Sequence, residues 1–86
     1  MNKFITSDGF LTDYAFACGY EEVAESKTPN IVLRLFKEGP VYHVRVHNHT
    51  DKCRISWDSF DTLEPARKAF LKKIKLHDLE RTIPKY

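Results

Sequence analysis

Val41-Tyr42-His43-Val44-Arg45-Val46-His47-Asn48-His49 is the stretch on which the fold turns. In a strand, side chains alternate faces with period two. Val41, His43, Arg45, His47 and His49 then share one face, and Tyr42, Val44, Val46 and Asn48 share the other. One apolar face and one cationic, histidine-rich face suit a sheet that is covered on one side only. The uncovered side is free to meet an anionic or metallic partner.

The neighbouring stretches extend this strand into a sheet. Ile31–Lys37 alternates Ile31, Leu33 and Leu35 against Val32, Arg34 and Phe36. Glu38-Gly39-Pro40 is too short for anything but an antiparallel hairpin into Val41–Asn48. After a turn at His49-Thr50-Asp51, Lys52–Asp58 reads as a third strand. Its alternation assigns Cys53, Ile55 and Trp57 to the core and Lys52, Arg54, Ser56 and Asp58 to the outside. Lys52 and Arg54 thereby join His43, Arg45 and His47 on one basic face.

Helices flank these strands. Leu11–Cys18 carries Leu11, Tyr14, Ala15 and Cys18 on one stripe, with N-cap chemistry at Ser7 or Asp8 and a C-terminal glycine at Gly19. Asp61-Thr62-Leu63-Glu64 has the spacing of a capping box, and Pro65 suits a first helical turn. Leu63, Ala66, Phe70 and Ile74 form the apolar stripe of a helix running to about His77, with Lys68, Lys72 and Lys75 opposite as a solvated face. Tyr20–Ala24 is a short strand or an extended lead, and the chain from Thr82 frays. The expected fold is α+β: a short N-terminal helix, a three-stranded antiparallel sheet, and a C-terminal amphipathic helix on one sheet face. One domain spans residues 1–86, with an ordered core of about 10–78.

Composition narrows the function classes. With 86 residues, 42% hydrophobic and 30% charged, the chain is long enough for one modest core and too apolar to be disordered. No apolar stretch approaches the ~20 residues of a membrane helix. Residues 1–8 lack the apolar core of a secretory signal, so cytoplasmic residence is expected, with Cys18 and Cys53 as reduced, buried thiols. The net charge of +2 is small but unevenly spread. Residues 1–30 carry −3, residues 31–58 carry +2 and residues 59–86 carry +3. No glycine-rich phosphate loop, paired-carboxylate pattern or cofactor motif is present, and nothing in the sequence pairs Ser56 or Ser59 with the histidines as nucleophile and base. A non-enzymatic role without a cofactor follows.

The order helix, three strands, helix is similar to that of the double-stranded-RNA-binding domain over residues 11–77. Gly39-Pro40 and His43 stand where that family has its first strand-to-strand loop. The likeness implies an RNA partner. The chain departs from it at the start of the last helix, where the family's lysine cluster is replaced by Asp61, Thr62, Leu63 and Glu64, and in the long connection between the first helix and the first strong strand.

The expected function is a small binding module whose face of His43, Arg45, His47, Lys52 and Arg54 meets an acidic surface, either nucleic-acid backbone or an acidic protein patch. A second reading is a protein–protein inhibitor or adaptor of the kind that phages and mobile elements encode, acting on a host protein complex. A third is a metal site at His47 and His49, two apart on one strand face, completed by Asp51 or Cys53. An open edge strand would also permit self-association.

Overall fold

In the computed structural model of the chain, residues 3–26, 31–48 and 54–82 are described, with the backbone alone at 54 and 82. The elements are α1 (Asp13–Ala17), β1 (Glu22–Glu25), β2 (Ile31–Glu38), β3 (Val41–Asn48), β4 (Arg54–Phe60), α2 (Leu63–His77) and β5 (Glu80–Thr82). The α+β class stands, with a helix towards each end and an antiparallel sheet. That sheet has five strands rather than three, in the order β4-β3-β2-β1-β5, every neighbouring pair antiparallel.

β2 and β3 form the hairpin expected of them. The closing pair is Glu38↔Val41, so Gly39-Pro40 is a two-residue turn. Gly39 has φ +61, and proline holds φ near −65°. A positive φ followed by a negative one is the type II′ arrangement, whose twist matches that of the paired strands.

α2 explains why the two additional strands matter. It leaves β4 at one edge of the sheet and delivers the chain to β5 at the other. Fifteen residues of helix rise about 22 Å, and the four strand spacings to be crossed amount to about 19 Å. The helix is thus the right length to span the sheet once. Ala66 and Phe70 are buried on its inner side, against Leu33, Leu35, Tyr42, Val44 and Val46. Leu63 and Ile74 extend the stripe, while Lys68, Lys72 and Lys75 face solvent as expected. The N-cap is Thr62 rather than Asp61, without a side-chain capping bond. At the other end Asp78 adopts the left-handed conformation (φ 53), and the Leu79 amide reaches back to the Ile74 carbonyl at 2.9 Å. Leu79 is buried and launches β5.

The N-terminal segment closes the remaining side of the core. α1 is shorter than the expected Leu11–Cys18 and is capped by Thr12, whose hydroxyl accepts from the Ala15 amide, rather than by Ser7 or Asp8. Gly19 (φ +94) does terminate it, as its position implies. The buried residues here are Leu11, Ala15 and Phe16, whereas Tyr14 and Cys18 are exposed. A five-residue helix has room to bury one short flank, so the longer stripe does not form. Cys18 is therefore not the buried thiol expected, and Cys53 lies outside the described residues. The Phe16 ring meets the Tyr42 ring edge-on, and the Tyr42 hydroxyl donates to Asp13. Burial, reinforced by that hydrogen bond and the Asp13 charge, pushes the Tyr42 phenol up to about 12.

β5 is held by charge rather than by apolar burial. Glu22 is fully buried in β1. Its carboxylate accepts the Leu11 amide at 2.7 Å and pairs with the Arg81 guanidinium at 3.1 Å. Arg81 also donates to the Gly9 carbonyl at 2.6 Å and lies 4.0 Å from the Phe10 ring centroid. This single arginine joins the last strand, the first strand and the N-terminal loop. The double-stranded-RNA-binding likeness ends with β1 and β5, which lie outside the three-strand order that suggested it.

Candidate functional site

The covered face carries the core, and the opposite face carries the chemistry. On that outer face β2 contributes Arg34 and Phe36, β3 contributes His43 and Arg45, and β4 contributes Trp57 and Ser59. Cross-strand pairing sets Phe36 beside His43, His43 beside Ser59, and Arg45 beside Trp57.

Trp57 and Ile55 are exposed, at 39% and 48%, which corrects the expectation that both point inward. Ser56 and Asp58, expected outside, have the inward phase instead, opposite Val46 and Val44. Pairing with β3 sets this phase, with Phe60 opposite Tyr42 and packed on the core. β4 is an edge strand, and α2 covers it incompletely, so polar Ser56 and Asp58 are tolerated on its inner side. Between Val46 and His47 the register slips. Val46 pairs with Ser56 but His47 pairs with Arg54, leaving Ile55 as a bulge residue.

Three rings form a cluster on this face. His43 lies 5.3 Å from Phe36 and 5.4 Å from Trp57, and Phe36 lies 6.2 Å from Trp57. The Trp57 indole N–H donates to His43 Nδ1 at 2.9 Å, and Ser59 Oγ sits 2.9 Å from the same nitrogen. The Arg45 guanidinium lies 5.2 Å from the Trp57 ring centroid, within cation–π range.

Electrostatics distinguish this patch from an ordinary polar surface. Arg34 and Arg45 stand directly opposite one another across β2 and β3. Like charges in that position are unfavourable by about 0.2–1 kcal/mol. Arg34 is partly offset by Glu21 at 3.8 Å in an exposed pair. Arg45 Nε is buried and takes no hydrogen bond among the described residues. The acids of this face, Glu21, Glu25 and Glu80, lie towards β1 and β5, with Glu38 at the hairpin end. The face is thus divided, with its cations and rings on β2, β3 and β4.

Of the five residues expected on the basic face, His43 and Arg45 are in the cluster. His47 follows on the same side of β3, opposite Val32. Arg54 pairs with His47 through its backbone, and Lys52 lies outside the described residues. His49, Asp51 and Cys53, needed for the metal reading, lie outside them as well. Among the described residues no three His, Cys, Asp or Glu gather to hold a metal ion. Sequence reasoning missed Phe36 and Trp57 as site residues. The signal for Phe36 was its place two residues from Arg34 on the non-core phase. For Trp57 there was none, because the bulge that sets its phase has no sequence signature.

Ser59 and His43 are in hydrogen-bond contact at 2.9 Å. His43 Nδ1 is shared with Trp57, and Nε2 takes no hydrogen bond among the described residues that would orient the ring as a base. On the covered face a hollow of about 300 Å³ is bordered by Asp58, Phe60, Ala69, Lys72, Lys73 and Leu76. No helix among the described residues is long and apolar enough to cross a membrane. Comparison with protein-family models, curated proteins and solved structures finds no match. The functional reading therefore rests on geometry alone.

Proposed function

We propose that this chain is a non-enzymatic module that binds single-stranded nucleic acid on the outer face of its sheet. Exposed Trp57 and half-buried Phe36 offer ring surface for bases, and Arg34 and Arg45 neutralise backbone phosphates. The observation that carries the reading is the juxtaposition of an aromatic cluster with two arginines at directly paired positions of β2 and β3. An isolated sheet face gains nothing from opposing those cations, whereas a polyanion relieves the repulsion. Rings beside the cations favour nucleic acid over an acidic protein patch, because every base has a face to stack and stacking contributes about 1–3 kcal/mol per base. A splayed single strand exposes those faces and a duplex does not.

Trp57 is the only tryptophan in the chain, so its fluorescence reports stacking directly. Titration with short single strands at low salt should quench it, with affinity in the micromolar range. For two neutralised phosphates the slope of log affinity on log salt is about −1.4. Duplexes should bind more weakly and leave Trp57 unquenched. Binding of a polyglutamate peptide with no response to any oligonucleotide would replace this reading with an acidic protein partner.

A further inference from the structure

We infer that His43 is a specificity-determining residue on this face, donating through Nε2–H to a base carbonyl and so favouring keto bases (uracil, thymine, guanine) over amino bases (cytosine, adenine). The inference rests on the stacking reading above and adds to it a chemical preference.

Its starting point is the sharing of one nitrogen. An indole nitrogen can only donate. The 2.9 Å contact from Trp57 Nε1 to His43 Nδ1 therefore requires an unprotonated Nδ1. Ser59, 2.9 Å from the same atom, must then donate its hydroxyl proton as well. With Nδ1 an acceptor, the neutral ring carries its proton on Nε2. That atom takes no hydrogen bond among the described residues and is not one of the buried polar atoms. The ring is held at its inner edge by two donors and presents an N–H at the other.

The surrounding polar groups have the same sense. Arg34 and Arg45 have only donors to offer. A base stacked against Trp57 or Phe36 thus meets donors along its edge. Uracil, thymine and guanine place a carbonyl there (O4 or O6), while cytosine and adenine place an amino group, which is itself a donor. Two donors facing each other leave both unpaired, and a polar site left unpaired discriminates more strongly than one that merely loses a contact.

Oligouridylate and oligocytidylate provide the test, since both are pyrimidines of equal ring size that share O2 and differ at the 4-position group and in the proton on N3. Oligouridylate should bind about tenfold more tightly at neutral pH. His43→Phe keeps a ring in place but removes the donor, and should bring the two affinities together. His43→Gln, which restores an N–H near the Nε2 position, should recover part of the preference. Unchanged melting temperatures would confirm that both variants fold. If both oligomers quench Trp57 with equal affinity in the natural chain, the inference fails and the stacking reading stands. If neither quenches it, the stacking reading fails and this inference falls with it. Nitrogen-15 NMR of the free chain gives a ligand-independent check: a proton on Nδ1 rather than Nε2 at neutral pH would overturn the assignment.

Discussion

Replacing Arg81 with methionine tests what holds the last strand in place. Glu22 is fully buried, and Arg81, with about a quarter of its side chain exposed, pairs with it at 3.1 Å. The substitution preserves much of the apolar stem but strands a carboxylate away from water. Breaking one side of such a pair costs about 3–5 kcal/mol, mostly as the penalty of leaving the other charge uncompensated. Lost contacts to the Gly9 carbonyl and the Phe10 ring add to this. A domain of 86 residues has total stability of roughly 4–13 kcal/mol at ~0.05–0.15 kcal/mol per residue, so Arg81→Met should be marginally folded.

The companion variant separates charge from packing. Adding Glu22→Gln keeps an oxygen for the Leu11 amide, which Glu22 accepts at 2.7 Å, while removing the buried charge. The double variant should recover about 2–3 kcal/mol of the loss. Glu22→Gln alone should cost less than Arg81→Met, because Arg81 reaches solvent and Glu22 does not. Urea denaturation followed by Trp57 fluorescence and circular dichroism measures all four states of the cycle. An Arg81→Met loss below about 1 kcal/mol, or a double variant no more stable than Arg81→Met, would refute the idea that β5 is held by compensation of a buried charge.

Four further outcomes follow from particular residues. Phe70→Ala, at the fully buried centre of α2, should cost about 3–5 kcal/mol in the same denaturation assay. Asp78→Gly should stabilise by about 0.5–1 kcal/mol, since it relieves a left-handed non-glycine residue and removes an anion from a helix C-terminus; a lower urea midpoint would contradict this. The Tyr42 phenol is raised to about 12 by burial and Asp13, so between pH 10 and 12 the folded chain binds more protons than the unfolded one. Its contribution is complete below pH 10 and is lost as pH rises through about 12, on the order of 2 kcal/mol. Tyr42→Phe should flatten that part of the stability–pH curve. Arg34→Thr should raise stability slightly by removing the opposition to Arg45, yet weaken oligonucleotide binding; a variant that loses stability and binds normally would show that Arg34 serves the fold rather than a ligand.

What was legible in the sequence follows the range over which each feature is encoded. β3 was readable to its last residue, Val41–Asn48, because eight alternating positions with a covered and an uncovered face leave no other phase. α2 was readable because its apolar stripe, Leu63 to Ile74, repeats over about three turns. The part of the site on β3, His43 and Arg45, came with that strand. By contrast, β4 was read in the wrong phase because it is an edge strand whose inward positions include Ser56 and Asp58. Near such an edge, polarity no longer distinguishes inside from outside, and one bulge residue at Ile55 decides which way Trp57 points. β5 reads Glu-Arg-Thr and has no local signal. Its position depends on Glu22, 59 residues away from Arg81, and a buried carboxylate cannot be told from a solvated one until its partner is known.

The same reasoning explains why the rings of the site were the part least visible. A tryptophan on a short strand is expected in the core, since its burial would contribute more than that of any other residue in β4. Here it is held outside by the phase of an edge strand and anchored there edge-on by His43. A large ring is left substantially exposed, while Ser56 and Asp58 take the inward phase. Polar residues on the inward phase and an aromatic residue on the outward phase invert the arrangement that stability alone would select. Together with the opposed arginines on β2 and β3, that inversion is two departures from local stability on one face. Departures of this kind concentrate where a surface has something other than folding to do.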